Sequence, residues 1–212
     1  MVRFIDRKDA ANLLVEHLQE FLNQKNCVVI GLARGGIILA SEIAKKLNIE
    51  WDFICPKKIS NPNFEEYGVG AITEDGDLSL DQFAAKEVGL GHALLNQILD
   101  QKKQEAINRA NLYRKYLKKV NVENKIVILV DDGIATGHTL LACIASLKRQ
   151  KAKKIIAAVP VVAVDAFLKI ENKLDQAIVL LREKNFQAVG EFYQKFDQVT
   201  DDEIITLLKS IV

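Results

Sequence analysis

Hydrophobic residues along this chain switch between the spacing of a helix and the unbroken runs of a buried strand. Behind Asp6, a candidate N-cap, Ala10, Leu14, Leu18 and Phe21 or Leu22 recur on one helical face until the polar break at 23–26. Residues 27–32 predict a buried strand, 33–36 a turn, 37–47 a helix and 51–55 a second strand closed by Pro56, together a βαβ unit. From 57 to 76 the chain is polar and punctuated by Asn61-Pro62, Gly68, Gly70 and Asp75-Gly76, which predicts a mobile loop region with only 69–72 as a short strand.

Between His92 and Lys125 neither glycine nor proline occurs, and Leu95, Ile98, Leu99, Ile107, Leu112, Tyr116 and Leu117 lie scattered among charges. That pattern predicts one or two long, half-exposed helices. Strand 126–130, helix 140–147, strand 154–161, helix 164–174 and strand 177–181 continue the alternation. Thr200 and Glu203 then make a capping-box pattern for a last helix carrying Ile204, Ile205, Leu208 and Ile211. Alternating strands and helices predict an α/β protein built on a twisted, Rossmann-like parallel sheet flanked by helices.

Composition narrows what such a protein does. At 212 residues and 49% hydrophobic content, one domain over 1–212 is expected. Lysine and arginine number 29 against 28 acidic residues, a net charge of +1, so no broad basic field exists and nucleic acid is not an expected partner. Cys27, Cys55 and Cys143 are odd in number, far apart and set in apolar segments, which reads as reduced core cysteines and not as a disulfide framework or zinc site. The first nine residues carry charge early, and no apolar run approaches a membrane span, so a cytoplasmic protein without membrane association is expected.

The most informative chemistry follows the strand at 126–130. Asp131 and Asp132 are adjacent carboxylates at its end, and Gly133 to Thr139 form a small, hydroxyl-bearing turn that opens the next helix. Such a turn lies at the carboxyl edge of a parallel sheet, where ligands of open α/β sheets bind and where free N–H groups of a helix start favour phosphate. Read locally, Asp-Asp-Gly also suits an ordinary turn, and Thr136 or Thr139 an ordinary N-cap. Asp131, Asp132, Ala135, Thr136, Gly137 and Thr139, with His138 in the variable place, resemble the phosphoribosyl-pyrophosphate motif of type I phosphoribosyltransferases.

The resemblance covers most of the chain. Phe4-Ile-Asp-Arg, Ala33-Arg-Gly-Gly, Asn61-Pro-x-x-Glu-x-x-Gly-x-Gly-Ala-Ile, Ala158-Val-Pro-Val and Ala188-Val-Gly-x-Phe-Tyr are together similar to a bacterial group of predicted phosphoribosyltransferases. It implies the type I fold with a small variable hood. It also implies that Asp131 and Asp132 meet the ribose hydroxyls, that 135–139 hold the 5-phosphate, and that Ala33, Arg34, Gly35 and Gly36 form the pyrophosphate loop, commonly with a cis Ala33–Arg34 peptide. Lys57 and Lys58 occupy the place of the family's basic pair, although a lysine at a strand end is also an ordinary solvated residue. Mg²⁺ is expected on the pyrophosphate, with no direct protein ligand.

The implied partners are phosphoribosyl pyrophosphate and a small-molecule acceptor, and the reading leaves a homodimer open. Phe186, Phe192 and Tyr193 suit stacking on a planar base, with core packing the competing role. His17, His92 and His138 form no spaced cluster. A non-catalytic regulator that binds phosphoribosyl pyrophosphate or a nucleotide on the same fold is the alternative, since function lives in the site and not in the architecture.

Overall fold

A computed structural model describes residues 4–61 and 64–210, with side chains at 64–67 outside the description; Ile211, expected in the last helix, also lies outside it. Five parallel strands form the main sheet: β1 (Cys27–Leu32), β2 (Glu50–Ile54), β6 (Ile126–Val130), β7 (Lys154–Ala163) and β8 (Gln176–Glu183), in the order β2-β1-β6-β7-β8. Every residue of β1 is buried, as expected of a strand covered on both faces. Alternation sorts the strand residues between two layers. Val28, Ile30, Val127 and Leu129 pack with Leu140 and Ile144 of α5 (His138–Arg149) and with Phe167 of α6 (Val164–Ile170). Val29, Ile128 and Val130 pack instead with Leu14 of α1 (Arg7–Glu16) and Leu39 and Ile43 of α2 (Gly35–Leu47).

The first helix stops earlier than its apolar spacing predicts. Asp6 caps it, accepting from the N–H groups of Lys8 and Asp9, and it ends at Glu16; a short 3₁₀ turn, Gln19–Phe21, then carries Phe21 into the core. The helix after β1 begins at Gly35, two residues before the apolar pattern does. One helix of 23 residues, α4 (His92–Arg114), fills the long charged segment. Its C-terminal end is anchored where the Arg114 guanidinium donates to the buried Asp52 and stacks 3.9 Å from the Phe53 ring centroid. The last helix, α7 (Asp201–Lys209), carries the expected Thr200–Glu203 capping box.

The short strand expected at 69–72 is present, but the rest of the loop expected over 57–76 is largely strand, with Pro62 and Asn63 outside the described residues. β3 (Lys57–Asn61), β4 (Phe64–Ile72) and β5 (Leu78–Leu80) pair antiparallel in a second sheet, the hood, with irregular register between Ile59 and Asn61. Ile59, Val69 and Ile72 pack against Ala85 of α3 (Gln82–Glu87), Leu90 and Ile98. This small satellite core needs few apolar residues, so the segment reads as polar. Polar contacts tie the hood to α5: Ser79 Oγ lies 3.2 Å from His138 Nδ1, and Arg149 donates to Asp77 at 2.9 Å and to Asp75 at 3.2 Å. Among the described residues, no helix is long and apolar enough to cross a membrane.

Candidate active site

The chain leaves β1 toward β2 on one side and, through β6, toward β7 on the other, so the strand order reverses between β1 and β6. Ligands of open α/β sheets bind outside the carboxyl ends of the strands at such a point. Gly31 of β1 pairs with Val130 of β6, which brings the turn at 33–36 beside the carboxylates at 131–132. Between them lies a cavity of about 430 Å³, lined by Arg34, Lys58, Asp131, Asp132, Thr136 and Thr139 among others. A larger cleft of about 1030 Å³ near Trp51 and Leu207 contains none of the residues expected at the site.

Asp131 and Asp132, expected at an exposed strand end, are instead partly buried. Asp131 Oδ1 accepts the Asp132 backbone N–H at 2.9 Å. Asp132 Oδ2 accepts from Arg7 Nε at 2.8 Å, with the two side chains 15% and 11% exposed. Burial pushes the Asp131 carboxyl well above the usual carboxylate range, and the charge of Asp132 adds to the push. Burial also raises Asp132, but there Arg7 opposes it by charge and by hydrogen bond. The two adjacent acids are therefore unequal: Asp132 has a fixed cation at contact distance, and Asp131 does not.

The turn between β6 and α5 is held from below. Ile134 is 3% exposed, its N–H donates to the Val161 carbonyl, and its own carbonyl accepts from Ala163 N–H, both at 2.9 Å. Gly137 then has φ +85°, a left-handed conformation that strains any L side chain. Ala135, Thr136, Gly137 and Thr139 all line the cavity, and among the described residues neither threonine hydroxyl has a partner. His138 does not line it; its ring turns to Ser79 in the hood, and burial lowers its pKa. Only the backbone of His138 remains suited to the phosphate role expected of it.

The expected pyrophosphate loop keeps its place, with a cis Ala33–Arg34 peptide. Gly35 admits the closest approach: a Cβ there would lie 2.0 Å from Asp132 Oδ2. Ala33, Arg34 and Gly35 line the cavity, whereas Gly36 is packed against the end of β6. The two lysines do not converge. Lys58 lines the cavity, but Lys57 Nζ sits 3.4 Å from Glu105 of α4, because successive strand residues point to opposite faces. Burial, followed by the charge of Arg109, lowers the Lys57 pKa.

The aromatic residues proposed for base stacking are mostly unavailable. Phe192 is 0% and Tyr193 4% exposed, both in a core cluster with Phe4 and Val161. Phe186 is partly exposed, and its ring packs 5.2 Å from that of Phe192. Phe196, Gln198, Val199 and Val189 line the cavity instead. Sequence reasoning assigned no role to these four or to Arg7. Arg7 closes the Phe4-Ile-Asp-Arg segment of the family resemblance, but nothing local marks its partner, a carboxylate 125 positions away. Asp201 was missed as well: it accepts from Tyr113 Oη and Arg109 Nε and lies 3.8 Å from Arg34, which it steadies beside the cavity.

Comparison with known proteins agrees with this fold. The sequence pattern of the phosphoribosyl transferase domain matches residues 5–193. The crystal structure of TT1426 from Thermus thermophilus is 31% identical, with a TM-score of 0.80 over 99% of each chain. "Putative phosphoribosyl transferase Rv0571c" of Mycobacterium tuberculosis is 33% identical over 208 residues, 98% of this chain and 47% of its own length. This chain thus spans about half the length of the curated relatives it matches. The purine phosphoribosyltransferase from Pyrococcus horikoshii Ot3 shares the fold at 19% identity, with a TM-score of 0.51 over 92% of this chain and 93% of that one. A family pattern that runs from α1 into the segment beyond β8 and a relative that aligns almost end to end place this chain in the phosphoribosyl transferase domain family.

Proposed function

We propose that this chain transfers the 5-phosphoribosyl group from phosphoribosyl pyrophosphate to a nitrogenous base or related acceptor, releasing pyrophosphate. The observation that carries the reading is one cavity at the switch point that gathers the 33–35 loop, Lys58, both carboxylates and the 135–139 turn. Each part matches one portion of the substrate. The turn, with its free hydroxyls and helix-start N–H groups, suits the 5-phosphate. Asp131 and Asp132 suit the ribose hydroxyls, and Arg34 with Lys58 suits the pyrophosphate.

In the proposed reaction the bond from ribose C1 to pyrophosphate oxygen breaks, and oxygen keeps the electron pair. An acceptor nitrogen supplies the pair for the new C1–N bond, and a neutral N–H acceptor then loses its proton. Positive charge develops on the sugar, as in glycoside chemistry, and carboxylates beside the ring stabilise it. Mg²⁺ belongs to the same proposal. The cavity offers the hard carboxylate oxygens of Asp131 and Asp132. That donor set fits a hydrated ion arriving on the pyrophosphate, where it would neutralise leaving-group charge.

Incubation with phosphoribosyl pyrophosphate, Mg²⁺ and a panel of purines, pyrimidines and pyridine carboxylates tests the reading, with pyrophosphate release as the signal. Release that depends on one acceptor supports it. No release with any acceptor, together with no thermal stabilisation by millimolar phosphoribosyl pyrophosphate, overturns it.

A further inference from the structure

Arg7 belongs to α1, yet it lines the cavity, and two of its contacts lead to Asp132. Nε donates to Asp132 Oδ2 at 2.8 Å, one terminal nitrogen donates to the Asp197 carbonyl at 3.0 Å, and the planar group lies 3.9 Å from the Phe196 ring centroid. Phe196 in turn packs 4.8 Å from the ring of Tyr193, whose hydroxyl donates to the Asp132 backbone carbonyl at 2.6 Å. The contacts close a circuit: Asp132 side chain, Arg7, Phe196, Tyr193, Asp132 backbone. Asp132 is held at its side chain by Arg7 and at its backbone by Tyr193, and Arg7 itself rests on the chain that follows β8.

We infer that Arg7 is a positioning residue for ribose recognition: it fixes the Asp132 carboxylate before substrate arrives and ties its position to the wall at 193–197. The inference rests on the ribose role proposed for the acidic pair. Three physical points carry it. An arginine fork fixes direction as well as charge, which a lysine ammonium does not. A carboxylate oriented in advance spares the binding step the cost of ordering it. Removing one partner of a partly buried ion pair leaves an uncompensated charge.

The wall at 193–197 adjoins Gln198 and Val199, which also line the cavity. A ligand seated against this wall therefore presses on the same arginine that holds Asp132. The charged groups facing Asp132 are Arg7 from α1, Lys58 from β3 and Asp131 beside it.

The test compares wild type with Arg7→Gln, Arg7→Lys and Phe196→Leu by two readouts. One is calorimetric binding of phosphoribosyl pyrophosphate with Mg²⁺. The other is the pH titration of the Asp132 side-chain carbon by ¹³C NMR, identified by its loss in Asp132→Asn; it needs no ligand. In Arg7→Gln the Asp132 titration moves to higher pH, and the dissociation constant rises about tenfold or more. Arg7→Lys keeps most of the titration position but loses the Asp197 bond and the flat stacking, so its binding falls between the other two. Phe196→Leu, which leaves every charge in place, weakens binding with little change in titration and serves if Arg7→Gln does not fold.

Unchanged Asp132 titration in folded Arg7→Gln, or unchanged binding in folded Phe196→Leu, overturns the inference. If wild type binds no phosphoribosyl pyrophosphate, the ribose reading fails by itself. The titration then still decides whether Arg7 holds Asp132.

Discussion

Lys57 and Lys58 are neighbours in β3 but serve opposite sides of it: Lys57 Nζ lies 3.4 Å from Glu105, whereas Lys58 lines the cavity with the two carboxylates. Sequence proximity suggested one basic pair; the pleat separates it. Lys58→Ala should raise the dissociation constant of phosphoribosyl pyrophosphate about tenfold, the effect of losing one charge-assisted contact of roughly 1.5 kcal/mol. Lys57→Ala should change it less than about threefold and cost at most ~1 kcal/mol of stability, as expected of a partly exposed ion pair. Calorimetry on both variants checks this, and equal losses would contradict the separation.

Asp131 is a cost to stability at neutral pH. Its folded pKa is raised, first by burial and then by Asp132, so over the window between its unfolded and folded values the native state binds more protons than the unfolded one. Stability attributable to this group therefore falls as pH rises through that window, and at neutral pH the carboxylate is a net cost. Asp131→Asn keeps an oxygen for the Asp132 N–H and removes the charge. The variant should be more stable at pH 7, with a higher Tm, while turnover is lost. Thermal melts at pH 7 and pH 4 check the sign: the advantage should shrink at the lower pH.

Much of the fold was legible because its dominant signal is local. Buried parallel strands are continuous apolar runs, so β1, β6 and β7 stand out at Cys27, Ile126 and Lys154, and the chemistry at their ends is contiguous in sequence. Asp131 to Thr139 and Ala33 to Gly35 could therefore be read from two short segments. The hood could not, because its strands bury a small core and its polar residues resemble loop. The partners of Arg7 and Asp201 were illegible for a different reason, although Arg7 itself stands in the Phe4-Ile-Asp-Arg segment. Each acts on a site residue more than a hundred positions away, and a single arginine or aspartate near a helix start carries no local mark of such a partner. Phe192 and Tyr193 show the converse: their composition suits a binding wall, but their packing makes them core.

His138 links the phosphate turn to the hood through Ser79. Burial lowers its pKa, with Lys169 adding to the shift and Asp81 opposing it. Because the folded state resists protonation, the unfolded state binds more protons between the folded value and the ordinary value near ~6.5. Stability should therefore fall as pH is lowered through that window. Urea midpoints measured from pH 7.5 down to pH 5 should show the fall in wild type and a smaller one in His138→Gln. Parallel curves for the two proteins would remove His138 as the cause.

Gly137 tests the phosphate turn without touching a charge. Its φ of +85° disfavours every L residue, and a Cβ there would meet Ile170 Cγ2 at 3.1 Å, tighter than ordinary packing. A β-branched side chain adds its own backbone restriction, so Gly137→Val must pull the turn out of shape at the point where α5 begins. Ile134, pinned to β7 by its two backbone hydrogen bonds, keeps the base of the loop in place. The damage should thus fall on the N–H groups and threonine hydroxyls that face the cavity. The dissociation constant of phosphoribosyl pyrophosphate should rise at least about tenfold, roughly 1.4 kcal/mol, whereas Gly137→Ala, which is strained but smaller, should lose less. Calorimetry on the two variants, with circular dichroism to establish a native fold, checks the order. Wild-type affinity in folded Gly137→Val would place the 5-phosphate elsewhere.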